Sequence, residues 1–235
     1  MQIVDRKSSA TDMVSDADHA AEAVVVEVLA RERPDDGLLG EEGSSAVGSS
    51  GRRWVVDPLD GTTNYLFGIP QWAVSVALEA GDEGGVVGVV FDPVRDELFA
   101  AARGEGAALN GGRISLRDPA PLEQSLVATG FSYEPAVRAA QAETLRTVLP
   151  RVRDVRRAGA ASLDLAWLAA GRLDGYYERG LQPWDWAAGR LLVTEAGGEV
   201  SELEGDPPGL AAARPELLPG LLELVGAPAQ PLVGD

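Results

Sequence analysis

The segment Trp54-Val-Val-Asp57-Pro-Leu-Asp60-Gly-Thr-Thr-Asn64 carries the most information about the fold and the chemistry of this chain. Its apolar start predicts a short strand, and we expect the strand to end at Asp57 because the following proline interrupts an extended run. Gly61 permits a close approach of the backbone, and residues 62–64 can begin a short helical turn. The two aspartates can then face one pocket, into which the amides of Gly61 and Thr62 point.

This arrangement predicts chemistry on phosphate. Backbone N–H groups at the start of a helical turn favour a phosphate group. Two carboxylates beside a phosphate would repel it, by about 4 kcal/mol per charge pair at 4 Å and an effective dielectric constant near 20. Divalent cations between the charges remove that repulsion, as in two-metal phosphoryl-transfer sites. Taken alone, however, an Asp-x-x-Asp-Gly segment is more often a surface turn.

Three further acidic positions lie where structural elements should end. They are Asp18, the pair Glu41-Glu42, and Asp185 between two tryptophans. Alone, Glu41-Glu42 is typical of a solvated loop end, and Asp185 could simply cap the helix that follows it. An unpaired carboxylate in apolar company is costly, which keeps a functional role for Asp185 open.

Composition restricts the possible partners and cofactors. The 235 residues include 37 acidic and 20 basic ones, so the net charge of −17 argues against nucleic acid and anionic membranes as partners. Cysteine is absent and His19 is the single histidine, which excludes disulfides, thiolate nucleophiles and multi-histidine zinc sites. A metal would therefore have oxygen ligands, as magnesium, manganese and calcium do, although no EF-hand loop is present. The first ten residues lack the apolar core of a signal peptide, and we expect a cytoplasmic protein.

The predicted elements change character along the chain. Residues 1–130 are dominated by strands, whereas strands and helices alternate over residues 131–235, which favours a single α+β or mixed α/β domain spanning residues 1–235. The predicted helices cover 16–33, with Ser15 or Asp16 as the cap, then 134–149, 161–170 and 184–196, and a last one opening at Pro215. The predicted strands cover 54–56, 73–78, 85–91, 97–101, 114–116, 173–178 and 209–213.

Together, these segments resemble the inositol monophosphatase family of magnesium-dependent, lithium-sensitive phosphatases. The matching pieces, in chain order, are Lys7-Ser8-Ser9 with Asp12 to Asp18, Gly40-Glu41-Glu42, Trp54 to Asn64, and Trp184 to Gly189. Each piece is weak alone, but the ordered set is highly specific and disfavours the surface-turn interpretation. The similarity runs from about residue 7 to residue 200.

The resemblance implies a layered αβαβα sandwich, commonly a homodimer, and a set of site residues. Glu41, Asp57 and the carbonyl of Leu59 would hold one magnesium ion, and Asp57, Asp60 and Asp185 a second. A third ion would lie near Glu41, and manganese could replace magnesium. Thr62 and Asp18 match the pair that polarises the attacking water. The substrate side would be formed by Asp60, Gly61, Thr62, Gly159, Ala161, Glu178 and Asp185.

The implied activity is hydrolysis of inositol 1-phosphate or a related small polyol phosphate. Fructose 1,6-bisphosphate, histidinol phosphate and 3′-phosphonucleotides remain alternatives, as does a non-enzymatic relative that binds a partner protein. The chain departs from the family pattern twice. We expect the family's N-terminal helix before Lys7 to be missing. Where the family often has Gly-Ser/Thr-Ala-Ala, this chain reads Gly159-Ala160-Ala161-Ser162, so position 160 has no hydroxyl.

Overall fold

The structure, a computed structural model, describes residues 3–6, 13–81 and 84–226. Four residues of the first matching piece, Lys7, Ser8, Ser9 and Asp12, lie outside the described residues, so their part in a site stays a prediction. None of the helices within the described ranges is long and apolar enough to cross a membrane.

A two-stranded ribbon near the start of the chain leads into a helix in which two acidic residues are buried. Strands β1 (Ile3–Arg6) and β2 (Met13–Ser15) pair antiparallel and lead into α1 (Asp16–Glu32). Ser15 is the N-cap, as predicted, and accepts a hydrogen bond from Ala17 N. The spacing of Val24, Val25, Val28 and Leu29 predicts an apolar face for α1, and this prediction is wrong, because Val24 and Val28 are exposed whereas Asp18 and Glu22 are buried. Burial of these two carboxylates is tolerated because both accept hydrogen bonds.

Eight strands of the first half form one mixed sheet. They are β3 (Gly37–Gly40), β4 (Ser45–Ala46), β5 (Arg52–Asp60), β6 (Ala73–Ala80), β7 (Gly85–Asp92), β8 (Glu97–Ala102), β9 (Gly106–Leu109) and β10 (Gly112–Ile114). Their order across the sheet is β10-β9-β8-β7-β6-β5-β3-β4. The last hairpin turns at Asn110 and Gly111, both at positive φ, so the final strand precedes its predicted position at 114–116.

The second half supplies a five-stranded sheet and four longer helices. These four helices are α3 (Pro135–Val148), α4 (Ala161–Ala169), α5 (Pro183–Glu195) and α6 (Leu218–Val225). The first half contains the short helix α2 (Thr62–Leu66). The strands are β11 (Leu126–Thr129), β12 (Asp154–Arg156), β13 (Gly175–Arg179), β14 (Glu199–Leu203) and β15 (Gly209–Ala213). They pair in the order β12-β11-β13-β15-β14. The last helix begins three residues after Pro215, which corrects its predicted start.

The layers follow from which elements pack together. Helix α1 packs against β5, on one side of the large sheet. Helices α4 and α5 contact each other and lie between the sheets: α5 packs against β5–β8 and β14, and α4 against β13. Helix α6 packs against β13 and β15 and also contacts α3. This is the predicted mixed α+β sandwich with five αβαβα layers, and its main apolar core surrounds α4 and α5.

One strand prediction failed at the most informative segment. Strand β5 does not end at Asp57; it continues through Pro58 to Asp60. Its register against β6 shifts there, because Asp57 pairs with Ser75 while Asp60 pairs with Ala73. Three residues along β5 therefore correspond to two residues along β6, which defines a β-bulge. A bulge tolerates a proline, which has no N–H group to donate to the neighbouring strand.

The central layer depends on a close approach between α4 and α5. Gly189 on α5 faces Leu165 on α4, and a Cβ atom at position 189 would lie 2.5 Å from Leu165 Cβ. Real Cβ contacts are never that short, so a side chain there would push the two helices apart.

We therefore expect Gly189→Ala to destabilise the protein by about 2 kcal/mol, the usual cost of overpacking a core. Urea denaturation measures the change in the free energy of unfolding. Gly220→Ala is the matched control, because the added Cβ on α6 would meet Leu122 at an ordinary 3.6 Å. Equal stability of the two variants would contradict the packing argument.

Candidate active site

Nine of the eleven predicted site residues line one cavity of about 440 Å³ at the meeting point of the two halves, whereas Asp18 and Thr62 are not among its lining residues. The large-sheet half contributes five of them and the second half four: Glu41, Asp57, Leu59, Asp60, Gly61, Gly159, Ala161, Glu178 and Asp185. The segments 130–134 and 179–182 complete the wall. Residues separated by up to 144 positions are therefore brought together in one cavity.

The bulge in β5 explains how Asp57 and Asp60 reach the same cavity. In a regular strand, residues three apart point to opposite faces. The extra residue of the bulge reverses that alternation, so both carboxylates line the cavity, and both are almost fully buried. Asp57 Oδ1 accepts a hydrogen bond of 3.0 Å from Leu59 N, which fixes its carboxylate across the bulge.

Gly61 continues this turn with a backbone that other residues rarely adopt. Its φ is +94°, and a Cβ atom there would lie 3.0 Å from Gln71 O and 3.2 Å from Gly159 O. Asn64 holds the same two loops together, because its Nδ2 donates to Gln71 O at 2.7 Å and to Ala158 O at 2.8 Å. The segment after β5 is thereby joined to the loop that precedes α4.

The two residues predicted to polarise water are in contact. Thr62, the residue after Gly61, has its Oγ1 2.9 Å from Asp18 Oδ1 and 3.1 Å from Leu59 O. Asp18 is fully buried, and its Oδ2 accepts hydrogen bonds from Ser15 N at 2.8 Å and Ser15 Oγ at 2.5 Å. Asp18 thus caps α1 with one oxygen and holds Thr62 with the other.

Glu41 is positioned by a residue that the sequence analysis missed. In the sequence, Glu22 only interrupts the apolar stretch of residues 20–30, yet it is buried and holds the loop that carries Glu41. Its Oε2 accepts from Glu42 N at 2.9 Å and its Oε1 from Ser44 N at 3.0 Å. Gly40 makes room for this carboxylate, because a Cβ there would lie 2.5 Å from Glu22 Oε2.

Asp185 has a structural contact as well as a place in the cavity. Its Oδ2 accepts a hydrogen bond of 2.6 Å from Gln182 N, so it caps α5, as the simpler interpretation predicted. The other carboxylate oxygen is left for the cavity. Capping and a functional role are therefore compatible for this residue, as they are for Asp18.

Burial and mutual repulsion raise the pKa values of three aspartates in the cavity. Burial, followed by the charges of Glu41, Asp60 and Asp185, raises the pKa of Asp57 well above its ordinary value. Burial raises the pKa of Asp60 to about 6, although hydrogen bonds from Ser162 and Ala161 oppose the shift. Burial and the charge of Asp60 also raise the pKa of Asp185. Each negative charge is therefore unfavourable in the absence of a cation.

The donor set fits divalent cations. Six acidic residues and two arginines line the cavity, an imbalance that a bound phosphate would make worse: Glu41, Asp57, Asp60, Glu134, Glu178 and Asp185, against Arg157 and Arg179. Carboxylate and carbonyl oxygens are the ligands that hard divalent ions prefer. Within the described ranges, no three acidic side chains already surround one point as a finished metal cage. The fit therefore rests on donor chemistry and on uncompensated buried charge.

The model of the inositol monophosphatase family matches residues 1–227. The chain belongs to the inositol monophosphatase family. Inositol monophosphatases are in general metal-dependent phosphatases, in keeping with the acidic cavity.

Two kinds of name occur among the relatives. The chain is 49% identical to an inositol-1-monophosphatase of Rhizobium meliloti over 197 residues, which cover 83% of this chain and 73% of that protein. It is 44% identical to the Nus factor SuhB of Xylella fastidiosa over 234 residues, 97% of this chain and 84% of the relative. The crystal structure of the extragenic suppressor protein suhB from Bartonella henselae superposes with a TM-score of 0.89 at 42% identity, covering 95% and 88% of the two chains.

Glu178, the residue expected to contact the polyol, interacts electrostatically with a second buried acidic residue, Asp164. Its Oε2 accepts a hydrogen bond of 2.7 Å from the Tyr176 hydroxyl. Burial raises the pKa of Glu178 to about 7, although Tyr176 and Arg157 oppose the shift. Burial and the charge of Glu178 also raise the pKa of Asp164, whose Oδ1 is buried without a hydrogen-bond partner among the described residues.

This shift predicts a pH-dependent stability of the metal-free protein. Because the folded pKa of about 7 exceeds the ordinary 4.5, the folded state binds the proton more tightly, and stability falls as the pH rises from about 4.5 through 7. We expect Glu178→Gln, which keeps an acceptor for Tyr176, to stabilise the fold by about 2 kcal/mol more at pH 8 than at pH 5. Urea denaturation in a chelator measures this, with the exposed Glu204→Gln as control. A difference that does not change with pH would contradict the prediction.

Proposed function

We propose that the chain is a magnesium-dependent phosphomonoesterase that hydrolyses inositol 1-phosphate or a related small polyol phosphate. One observation carries the proposal: Glu41, Asp57, Asp60 and Asp185, from distant parts of the chain, line one cavity in which six acidic residues face only two arginines. Membership of the inositol monophosphatase family supports the same reaction.

In this proposal the acidic residues hold the ions. Glu41, Asp57 and the Leu59 carbonyl bind one magnesium, Asp57, Asp60 and Asp185 a second, and a third lies near Glu41; manganese is a possible substitute. Bound magnesium would neutralise the cavity, polarise the phosphate and lower the pKa of a water molecule. Glu22 and Ser162, which contact the Glu41 loop and Asp60, keep these ligands in place.

The remaining residues orient the reactants. The Thr62 hydroxyl, held by Asp18 at 2.9 Å, accepts a hydrogen bond from the attacking water and directs its lone pair at phosphorus. The amides of Gly61 and Thr62 bind the phosphate oxygens. Gly159, Ala161 and Glu178 line the polyol side of the cavity.

The test is a comparison of kcat/KM over a panel of phosphomonoesters with magnesium present. The panel contains inositol 1-phosphate, fructose 1,6-bisphosphate, histidinol phosphate and a 3′-phosphonucleotide, because specificity is a ratio of kcat/KM values. We expect the highest value for inositol 1-phosphate. A different leading substrate would replace the assignment within the phosphatase class, and no phosphate release above buffer from any compound, with magnesium or manganese, would refute the phosphatase itself.

A second candidate function is binding to a macromolecular partner. It is favoured by the 44% identity, over 97% of this chain, to a relative named Nus factor SuhB. Such binding would not need the acidic ligands. A purified transcription complex that retains the Asp57→Asn variant as tightly as the parent protein would support this role, and loss of binding with that variant would link it to the cavity.

The family resemblance also leads us to propose a homodimer. Analytical ultracentrifugation should then give about twice the chain mass of 24.6 kDa. A single species of the chain mass at micromolar concentration would contradict the dimer.

A further inference from the structure

Asp60 accepts three hydrogen bonds from the start of α4. Its Oδ2 accepts from Ser162 N at 2.7 Å and from Ser162 Oγ at 2.5 Å. Its Oδ1 accepts from Ala161 N at a longer 3.2 Å. Ser162 is completely buried and Asp60 is 8% exposed, so water does not compete for these contacts. The start of α4 therefore donates two short hydrogen bonds to Oδ2 of Asp60 and only one longer bond to Oδ1.

These hydrogen bonds determine how many carboxylate oxygens Asp60 can offer to a cation. A carboxylate oxygen has two lone-pair positions. On Oδ2 both are occupied by the amide and the hydroxyl of Ser162. On Oδ1 a single long contact leaves one position for another partner. Asp60 is thus restricted to one free oxygen as long as the Ser162 hydroxyl is present.

The hydroxyl that reaches Asp60 comes from the second residue of α4 and not from the residue before the helix. Ala160 is buried, and its Cβ would lie 3.3 Å from a Cβ at Gly61, whereas Ser162 carries the hydroxyl that contacts Asp60 Oδ2. Ser162 is therefore the side chain in this segment whose replacement changes the hydrogen bonds on Asp60.

We propose that Ser162 is a positioning residue that limits Asp60 to single-oxygen ligation and so favours magnesium over calcium at the second ion position. Magnesium requires near-octahedral geometry with single oxygens, whereas calcium accepts two oxygens of one carboxylate and six to eight ligands in all. Freeing Oδ2 would therefore help calcium more than magnesium. The inference rests on the proposed function, because it takes Asp60 as an ion ligand.

The experiment is calorimetric titration of the metal-free protein with magnesium alone and with calcium alone. Ser162→Ala removes the hydroxyl and keeps the amide, and Ser162→Cys substitutes a weaker donor of similar shape. We expect the ratio of magnesium to calcium affinity to fall about tenfold in Ser162→Ala, the lower end of effects from outer contacts of metal ligands. Ser162→Cys should give an intermediate ratio. Ser201→Ala, on β14, is the control for a serine outside the cavity and should leave the ratio unchanged.

The outcomes separate the inference from the proposed function. A merely structural role for Ser162 would weaken both ions equally, and an unchanged affinity ratio in both variants would overturn the inference. If the parent protein binds neither ion, or Asp57→Asn binds both as tightly as the parent, the metal assignment itself fails. Urea denaturation of each variant verifies that binding is compared between folded proteins, and Ser162→Cys decides the question if Ser162→Ala does not fold.

Discussion

Asp57→Asn is expected to lower kcat/KM for inositol 1-phosphate by about a thousandfold or more while leaving the metal-free fold at least as stable as the parent. Asp57 is the ligand that both ions would share, and removing its charge takes away several kcal/mol of transition-state stabilisation. The asparagine side chain has nearly the same shape, and its oxygen can still accept the hydrogen bond from Leu59 N.

The stability part of this prediction follows from the raised pKa. Burial, and then the charge of Glu41, raises the pKa of Asp57 well above its ordinary value, so the ionised carboxylate destabilises the metal-free fold at neutral pH. A neutral amide avoids that penalty. Urea denaturation in a chelator at pH 7.5 should therefore show an equal or higher midpoint for Asp57→Asn.

Asp118→Asn is the matched control, because this carboxylate is fully exposed and 4.0 Å from Arg214. It should change neither activity nor stability. An Asp57→Asn variant that keeps more than a tenth of the parent activity would remove Asp57 from the metal site. A variant that is inactive because it is unfolded would contradict the charge argument.

Thr62→Val should lower kcat by about two to three orders of magnitude with little change in KM, the usual contribution of a positioned proton-transfer group. Valine keeps the branched shape but removes the hydroxyl, which lies 2.9 Å from Asp18 Oδ1. Because Thr62 itself is not one of the proposed ion ligands, calorimetric titration with magnesium should give the parent affinity.

Two neighbouring variants make this test specific. Thr62→Ser keeps the hydroxyl and should retain activity within about tenfold of the parent. Thr63→Val removes the adjacent hydroxyl, which contacts Tyr133 Oη at 3.3 Å, and should have a much smaller effect than Thr62→Val. If Thr62→Val and Thr62→Ser have equal kcat values, the hydroxyl does not orient the water.

Local signals predicted most helices of this chain. Ser15 marks the start of α1 and Gly171, at φ +72°, follows the end of α4, because capping residues act on groups only a few positions away. The strand at 209–213 was also predicted with its observed bounds. The short strands β11, β12 and β14 were not predicted. Three to five residues carry too little periodicity, and pairing with distant neighbours stabilises such strands.

The bulge at Pro58 shows the limit of a local rule. Proline normally ends a strand, and the pattern around it offered no reason for an exception. Pairing with β6 on one side and burial of the segment make the extended run continue to Asp60. The same bulge turns Asp57 and Asp60 to one cavity, an arrangement that the sequence predicts from a strand that ends at Asp57.

Residue types and their order along the chain set the chemistry available to this protein: oxygen ligands in place of sulfur or imidazole, an excess of negative charge, and an ordered set of acidic motifs specific enough to indicate the family. Only the tertiary structure decided which groups hold those acids in place. Glu22 holds the Glu41 loop from 20 residues away, and Ser162 holds Asp60 from 102 residues away. No local pattern encodes such contacts, because packing of α1 on one sheet and of α4 between two sheets brings these donors and acceptors together.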